Sequence, residues 1–158
     1  MSDELIFQTL NLSVLPAWAL LLIAPRARVT RLVVHSGAYP LVLATAYAFL
    51  LFGDQPGPQD AHFFSLEGVT RIFTTPRTII ACWVHYLVFD LFVGSWEVRD
   101  AERLGIPHWR VVPSAILTLM FGPIGLASWL VVRALHKRGL LLHESTSPSA
   151  LCAAPTDT

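Results

Sequence analysis

The stretch TIIACWVHYLVFDLFVGSWEVRD, residues 78–100, predicts the architecture of the chain. Its apolar-dominated part, residues 79–96, has the length of a short membrane-spanning helix. Asp90 lies inside this run, although a carboxylate near the middle of a bilayer costs about 2.5–3.5 kcal/mol on insertion scales. Ionisable residues at such depth pair with other helices or mark a path for a substrate or proton. Asp90 is therefore the first candidate functional residue.

The composition excludes an ordinary soluble domain. The chain has 158 residues, of which 54% are hydrophobic and 14% charged, and its formal net charge is zero. We expect an integral membrane protein in contact with membrane lipid, and the neutral balance gives no reason to expect a nucleic-acid partner. The first apolar run follows Asp3 and Glu4 rather than a basic segment, so we interpret it as a retained span and not as a cleaved signal.

Apolar runs divide the chain into a predicted bundle of four transmembrane helices. A short segment between the second and third runs, FFSLEGVTRIF at residues 63–73, has apolar and polar faces at helical spacing, which predicts an amphipathic helix in the membrane interface. The fold class is thus an all-α membrane protein with a transmembrane domain at 1–138 and a mobile tail at 139–158. The predicted spans are residues 5–24, 32–52, 79–96 and 111–132.

Polar residues occur at similar depths in all four predicted spans. Each helical residue advances about 1.5 Å, and counting from the span ends places these residues within two or three turns of one another. On the third span, His85 flanks a stripe of residues at helical spacing, which are Trp83, Tyr86, Asp90 and Glu97. The predicted catalytic residues are His85, Asp90 and His35. The predicted substrate-binding residues are Tyr39, Tyr86, Trp83, Asn11 and Thr118.

The chemistry that this cluster favours is proton transfer. The chain has no closely spaced histidine boxes, nucleophile motif, phosphate loop or dinucleotide fingerprint, so we expect no metal and no cofactor. A carboxylate and imidazoles in a low-dielectric site suit isomerisation or eliminative ring opening of a lipophilic substrate, or its proton-coupled movement. Two alternatives stay open. Asp90 could have a structural role, in which it holds neighbouring helices together, and Glu97 and Asp100 could bind a metal. Otherwise we expect those two acids in solvated loop contacts with nearby arginines.

The sequence also resembles a known family. The runs WVHYLVFDLFV (83–93) and FGPIGLASWLVVRAL (121–135), with Arg99-Asp100, are similar to the abscisic-acid-deficient-four family, as are LPAWALLLIAPRARVTRL (15–32), YPLVLATAYAFLL (39–51) and SLEGVTRIF (65–73). The similarity extends over roughly residues 12–136. Members are small membrane proteins that in plants are tied to the synthesis of neoxanthin from the epoxide violaxanthin.

The resemblance implies a membrane protein that acts on carotenoids. We predict acid/base isomerisation or epoxide opening of a carotenoid-like lipophilic molecule, with His85 and Asp90 as acid and base. The alternatives are a non-catalytic protein that binds carotenoid or assists assembly, and a small proton-coupled carrier. The expected protein partners are a second copy of the chain or a carotenoid-pathway enzyme. Because no plastid-type leader precedes the first span, we expect a bacterial inner-membrane protein, with both termini on the non-cytoplasmic side.

Overall fold

A computed structural model describes residues 2–53 and 59–137 of the chain, and these residues form helices without any strand. The predicted tail, 139–158, lies outside the described residues. The helices are α1 (Asp3–Ile23), α2 (Arg28–Thr30), a π-helical turn (Arg31–His35), α3 (Ala38–Phe52), α4 (Leu66–Ile72), α5 (Pro76–Leu104), α6 (His108–Phe121) and α7 (Pro123–Lys137).

Three of the described helices are long and apolar enough to cross a membrane. They are α1, the continuous segment Arg28–Phe52, and α5. The prediction of an all-α fold with membrane-spanning helices is confirmed to this extent: the described residues are all-helical and include three candidate spans. The short helix predicted between the second and third spans is also present, as α4, and the Ser65 side chain caps it by accepting a hydrogen bond from the Gly68 amide at 3.1 Å. The structure does not confirm a fourth span.

Helix α5 is the centre of the bundle and contacts α1, α3, α6 and α7. It begins with Thr75 as N-cap and Pro76 in the first turn, and it ends at Gly105, which has the left-handed φ of 67°. The core around it consists of large apolar side chains from several helices. Among the most buried are Trp18, Leu21, Leu43, Val84, Leu91, Val98 and Trp129.

The predicted fourth span is divided into two shorter helices that form a hairpin. At the break, Gly122 has φ 47° and ψ −95°, and Pro123 cannot continue a helix because it lacks an amide hydrogen. Helix α6 runs antiparallel to α5, and Thr118 donates a hydrogen bond to Glu97 at 2.8 Å. Helix α7 then returns in the opposite direction, since Trp129 bonds to Asp100, which lies after Glu97 on α5.

The tip of this hairpin lies beside the middle of α5. A Cβ on Gly125 would collide with the backbone of Thr118, so α6 and α7 approach too closely for any larger residue there. Helix α6 has 14 residues, about 21 Å, which is less than the roughly 30 Å of a hydrocarbon core. Asp90, the fifteenth of the 29 residues of α5, lies next to the tip at Gly122. Non-helical backbone at such depth requires burial in protein or a cavity beside it.

Most arginines of the described chain lie at one end of the bundle. Arg26 pairs with Glu102 at 2.8 Å and the ring of His108 bonds to the Leu22 carbonyl at 2.8 Å, which joins the ends of α1 and α5 and the start of α6. In helical membrane proteins the ends rich in Lys and Arg are usually cytoplasmic, so the arginines predict that side for this end of the bundle. We call it the arginine-rich end; it contains Arg26, Arg28, Arg31, Arg99, Arg103, Arg110 and Arg133. Arg71 and Arg77 lie at the opposite end.

Candidate functional site

A cavity of about 240 Å³ separates the middle of α5 from the tip of the α6–α7 hairpin. We call it the Asp90 cavity, because Asp90 contributes its carboxylate and every other lining residue is apolar, aromatic or glycine. The lining residues are Trp83, Tyr86, Leu87, Asp90, Leu119, Met120, Phe121, Gly122 and Pro123.

The Asp90 side chain is half-buried and points at the hairpin tip. A Cβ built on Gly122 would stand 2.7 Å from Asp90 Oδ1. The Asp90 carboxylate forms no hydrogen bond and no ion pair with any residue in the part of the chain that the structure describes. It is therefore placed to accept a proton or a hydrogen bond from a molecule bound in the cavity.

The mouth of the Asp90 cavity opens to the side of the bundle. Tyr86 is 59% and Phe121 60% exposed, so the wall of the cavity reaches the outer surface of the bundle. Trp83, on the same face, is held by a hydrogen bond from its indole nitrogen to Asn11 Oδ1 at 3.0 Å and packs near the Phe7 ring. The predicted residues Trp83, Tyr86 and Asp90 thus share one wall, and Asn11 fixes the orientation of Trp83.

His85 lies outside the Asp90 cavity. Its ring is exposed and contacts the rings of Tyr47, Tyr86 and Phe89, with centroid distances of 5.8, 6.1 and 4.6 Å. Five helical positions separate His85 from Asp90, which corresponds to about 140° around the axis. The structure therefore does not bring His85 and Asp90 together, although His85 packs edge-on against Tyr86.

His35 and Tyr39 join helices rather than line the cavity. The His35 ring has Pro25 O at 3.2 Å from Nε2 and Ser95 Oγ at 2.9 Å from Nδ1. Because a carbonyl only accepts hydrogen bonds, Nε2 carries the proton, and in the neutral ring Nδ1 then accepts from Ser95. The Tyr39 hydroxyl donates to Ser13 Oγ at 2.7 Å.

A second polar group lies fully inside the bundle, where the sequence predicted a solvated loop. Glu97 is 0% and Asp100 3% exposed, and both belong to α5, which continues to Leu104. The expectation of solvated contacts for these acids is wrong, because the hairpin covers them. Thr118, also predicted as substrate-binding, belongs to this group. We call it the buried charged cluster: Glu97, Asp100, Thr118, Trp129 and Arg133.

The buried charged cluster attaches the hairpin to α5. Asp100 Oδ2 accepts hydrogen bonds from Arg133 Nε at 2.9 Å and Trp129 Nε1 at 3.2 Å, while Oδ1 pairs with Arg103 at 2.5 Å. Glu97 Oε2 and Arg133 Nη1 are buried without a hydrogen-bond partner from residues 2–53 and 59–137. The helical spacing had placed Glu97 on the same face as Asp90, seven positions earlier, but it gave no partner for Glu97 from another helix.

The described residues do not contain a group of three or more His, Cys, Asp or Glu side chains able to hold a metal ion. Asp100, one of the two acids left open as metal ligands, is instead satisfied by two arginines and an indole. Within the described chain, the chemistry that the Asp90 cavity can supply is that of a carboxylate beside a phenol and two other aromatic rings.

Comparison with known proteins places this sequence in a family. The family model described as "ABA4-like: ABA DEFICIENT 4-like" matches residues 5–129. The chain is 28% identical over 137 residues to "Protein ABA DEFICIENT 4, chloroplastic" from Arabidopsis thaliana, an alignment that covers 82% of this chain and 61% of that relative. No solved structure matches the chain. Since the family model covers well over half of its length, the chain belongs to the ABA4-like family.

Proposed function

We propose that this protein takes a carotenoid-like polyene from the bilayer and catalyses its redox-neutral isomerisation or epoxide opening, with Asp90 as the base. One observation carries the proposal: Asp90 is a half-buried carboxylate midway along α5 without a polar partner among the described residues. An unpaired carboxylate at this depth destabilises the folded protein. We infer that it is retained because it acts on a bound molecule.

The family supports the substrate class. Membership in the ABA4-like family favours a carotenoid-related function in a membrane. The wall of the Asp90 cavity agrees with this class, because Trp83, Tyr86 and Phe121 offer flat aromatic surfaces to a conjugated chain.

The size of the cavity suggests how such a molecule would bind. Its volume of about 240 Å³ is below the roughly 300–1,000 Å³ of pockets that enclose a drug-sized ligand. A long polyene would therefore place only one end group beside Asp90, while the rest of the molecule stays in the lipid along α5 and the hairpin. The lateral mouth allows entry without passage through water.

The proposed reaction needs one base and one acid. Asp90 removes a proton from carbon, the electrons of that C–H bond form a new carbon–carbon π bond, and the epoxide C–O bond breaks. The released oxygen takes a proton from the hydroxyl of Tyr86, a residue that lines the same cavity, and the proton on Asp90 then returns to Tyr86. Substrate and product then have the same composition. His85, which packs against Tyr86, is the alternative proton donor.

The pigment profile of carotenoid-producing cells tests this proposal. Cells carrying the wild-type protein should contain an isomer that is missing from cells with Asp90→Asn, a change that keeps the shape of the side chain and removes the base. Glu102→Gln is the matched control, since it alters a partly exposed carboxylate paired with Arg26. An identical profile for wild type and empty vector, across several carotenoid backgrounds, would contradict the enzymatic function.

A second candidate is a non-catalytic carotenoid-binding or assembly protein. The observation that favours it is the composition of the cavity wall, in which the described residues add no second carboxylate and no imidazole to Asp90. In this case Asp90→Asn should leave pigment co-purification unchanged, and a carotenoid-pathway enzyme or a second copy of the chain should co-purify.

A further inference from the structure

We propose that the arginine-rich end binds the phosphate headgroup of an anionic membrane lipid. The site is a cavity of about 280 Å³ lined by Trp96, Arg99, Asp100 and Arg103, which we call the interfacial cavity. It lies near the end of α5, apart from the Asp90 cavity, and shares none of its lining residues. The inference is therefore independent of the proposed reaction.

The charge of the interfacial cavity favours an anion. Asp100, the carboxylate in its lining, already contacts Arg103 and Arg133, at 2.5 and 2.9 Å. The charge available to an anion is therefore that of Arg99, which also lines the cavity and donates from Nη1 to the backbone carbonyl of His35 at 2.8 Å. That carbonyl is neutral, so it orients the Arg99 side chain without compensating its charge.

The position of the interfacial cavity favours a lipid. It follows the apolar run 79–96, so it lies at the depth of the headgroups when that run is in the hydrocarbon core. Trp96 in its wall, and Trp109 beneath the guanidinium of Arg110 at 5.0 Å, are typical of the aromatic belt at this level. Acyl chains could then extend along the exposed apolar faces of the helices.

Arginine is the suitable side chain for this contact. Its planar guanidinium group can donate two parallel hydrogen bonds to phosphate oxygens. If the arginine-rich end is cytoplasmic, it faces the leaflet that carries most of the anionic lipid. The opposite end offers a different environment, since Arg71 already pairs with both Asp60 and Glu67, at 3.1 and 2.7 Å.

Thermal unfolding of the purified full-length protein in detergent tests the proposal. Added phosphatidylglycerol should raise the Tm by about 5 °C or more near saturation, whereas phosphatidylcholine should change it little. Arg99→Gln should lose most of the phosphatidylglycerol shift. Arg71→Gln, the matched control at the opposite end, should keep it. Native mass spectrometry of the wild-type protein in an equimolar mixture of both lipids should show preferential retention of phosphatidylglycerol.

Three results would overturn the lipid site. The first is an equal Tm shift with both lipids, and the second is a full phosphatidylglycerol shift in Arg99→Gln. The third is an equal shift with soluble inorganic phosphate, which would assign the cavity to free phosphate. If Arg99→Gln does not fold, retention of both lipids in equal amounts by the wild-type protein would still refute the proposal.

Discussion

The carboxylate of Asp90 lies directly against Gly122 at the tip of the α6–α7 hairpin, so that a Cβ at position 122 would stand 2.7 Å from Oδ1. Two features that are costly in a membrane therefore meet at one point: a carboxylate without a polar partner among the described residues, and a break in a helix. The broken backbone brings the hairpin tip to Asp90 and closes one side of the cavity, which a continuous fourth span could not do.

Gly122→Ala should impair function more than its effect on stability explains. The new methyl group would push the Asp90 carboxylate away, and the positive φ of 47° is strained for alanine. We expect a loss of about 1–3 kcal/mol in stability and a reduction in pigment conversion of about tenfold to 100-fold. Thermal unfolding and pigment profiles measure the two effects separately.

Gly105→Ala is the control for this variant. Gly105 also has a positive φ, 67°, but a Cβ there would meet no atom within 4 Å. It should therefore lose stability and keep its conversion per folded molecule. If both glycine variants reduced conversion equally, the contact between Gly122 and Asp90 would have no special role.

The ion pair between Arg133 and Asp100 should be essential for attaching the hairpin. Both side chains are almost fully buried, at 3% and 1% exposure. Arg133→Met would leave Asp100 with Arg103 and Trp129 alone, so we expect a loss of about 3 kcal/mol, near the lower end for breaking a buried pair. Chemical denaturation in a mild detergent measures this loss.

A double variant and a surface ion pair serve as the controls for this prediction. Adding Asp100→Asn to Arg133→Met removes a buried carboxylate that has lost one of its two arginine partners, and should restore part of the stability. Arg26→Met breaks the pair with Glu102, in which the arginine side chain is 81% exposed, and should cost at most about 1 kcal/mol. Equal losses for Arg133→Met and Arg26→Met would show that the buried charged cluster does not hold the hairpin.

The apolar runs and their helical periodicity predicted the helices and the composition of one wall of the cavity. The spacing of Trp83, Tyr86 and Asp90 places them on one face of α5, because local periodicity decides which residues share a face. The same periodicity put His85 beside this stripe, and the structure places it outside the cavity, since similar depth does not imply the same side of a helix. Their proposed roles stay predictions.

The hairpin and the buried charged cluster could not be predicted by local patterns. Residues 111–132 are apolar on both sides of Gly122-Pro123, a sequence equally compatible with a kinked span and with a reversal. The choice depends on a tertiary partner, Arg133, which reaches Asp100 only when α7 turns back. If the chain crossed the membrane four times, Arg133 would lie on the opposite side of the membrane from Asp100. Asp100 would then lack this partner, and a solvated loop would be its expected environment.

The hairpin changes the expected topology of the chain. With three crossings and a hairpin that returns, the start of α1 and the end of α7 should lie on opposite sides of the membrane, and not on one side as four crossings would require. In a protein with both cysteines replaced by serine, Ser2→Cys and His136→Cys should react with an impermeant maleimide from opposite sides of sealed vesicles. By the distribution of arginines, the side of His136→Cys should be the cytoplasmic one. Labelling of both from one side would contradict the hairpin.

Tyr86→Phe and His85→Phe should identify the proton donor, since each keeps an aromatic ring and removes the polar group. Tyr86 lines the Asp90 cavity, whereas the His85 ring lies outside it against Tyr47 and Phe89. We expect Tyr86→Phe to lower pigment conversion by about 100-fold or more, the usual contribution of a general acid, while bound pigment still co-purifies. His85→Phe should convert pigment at nearly the wild-type level. The reverse result would assign the donor role to His85. It would also require α5 to rotate when pigment binds, because five helical positions place His85 about 140° around the axis from Asp90.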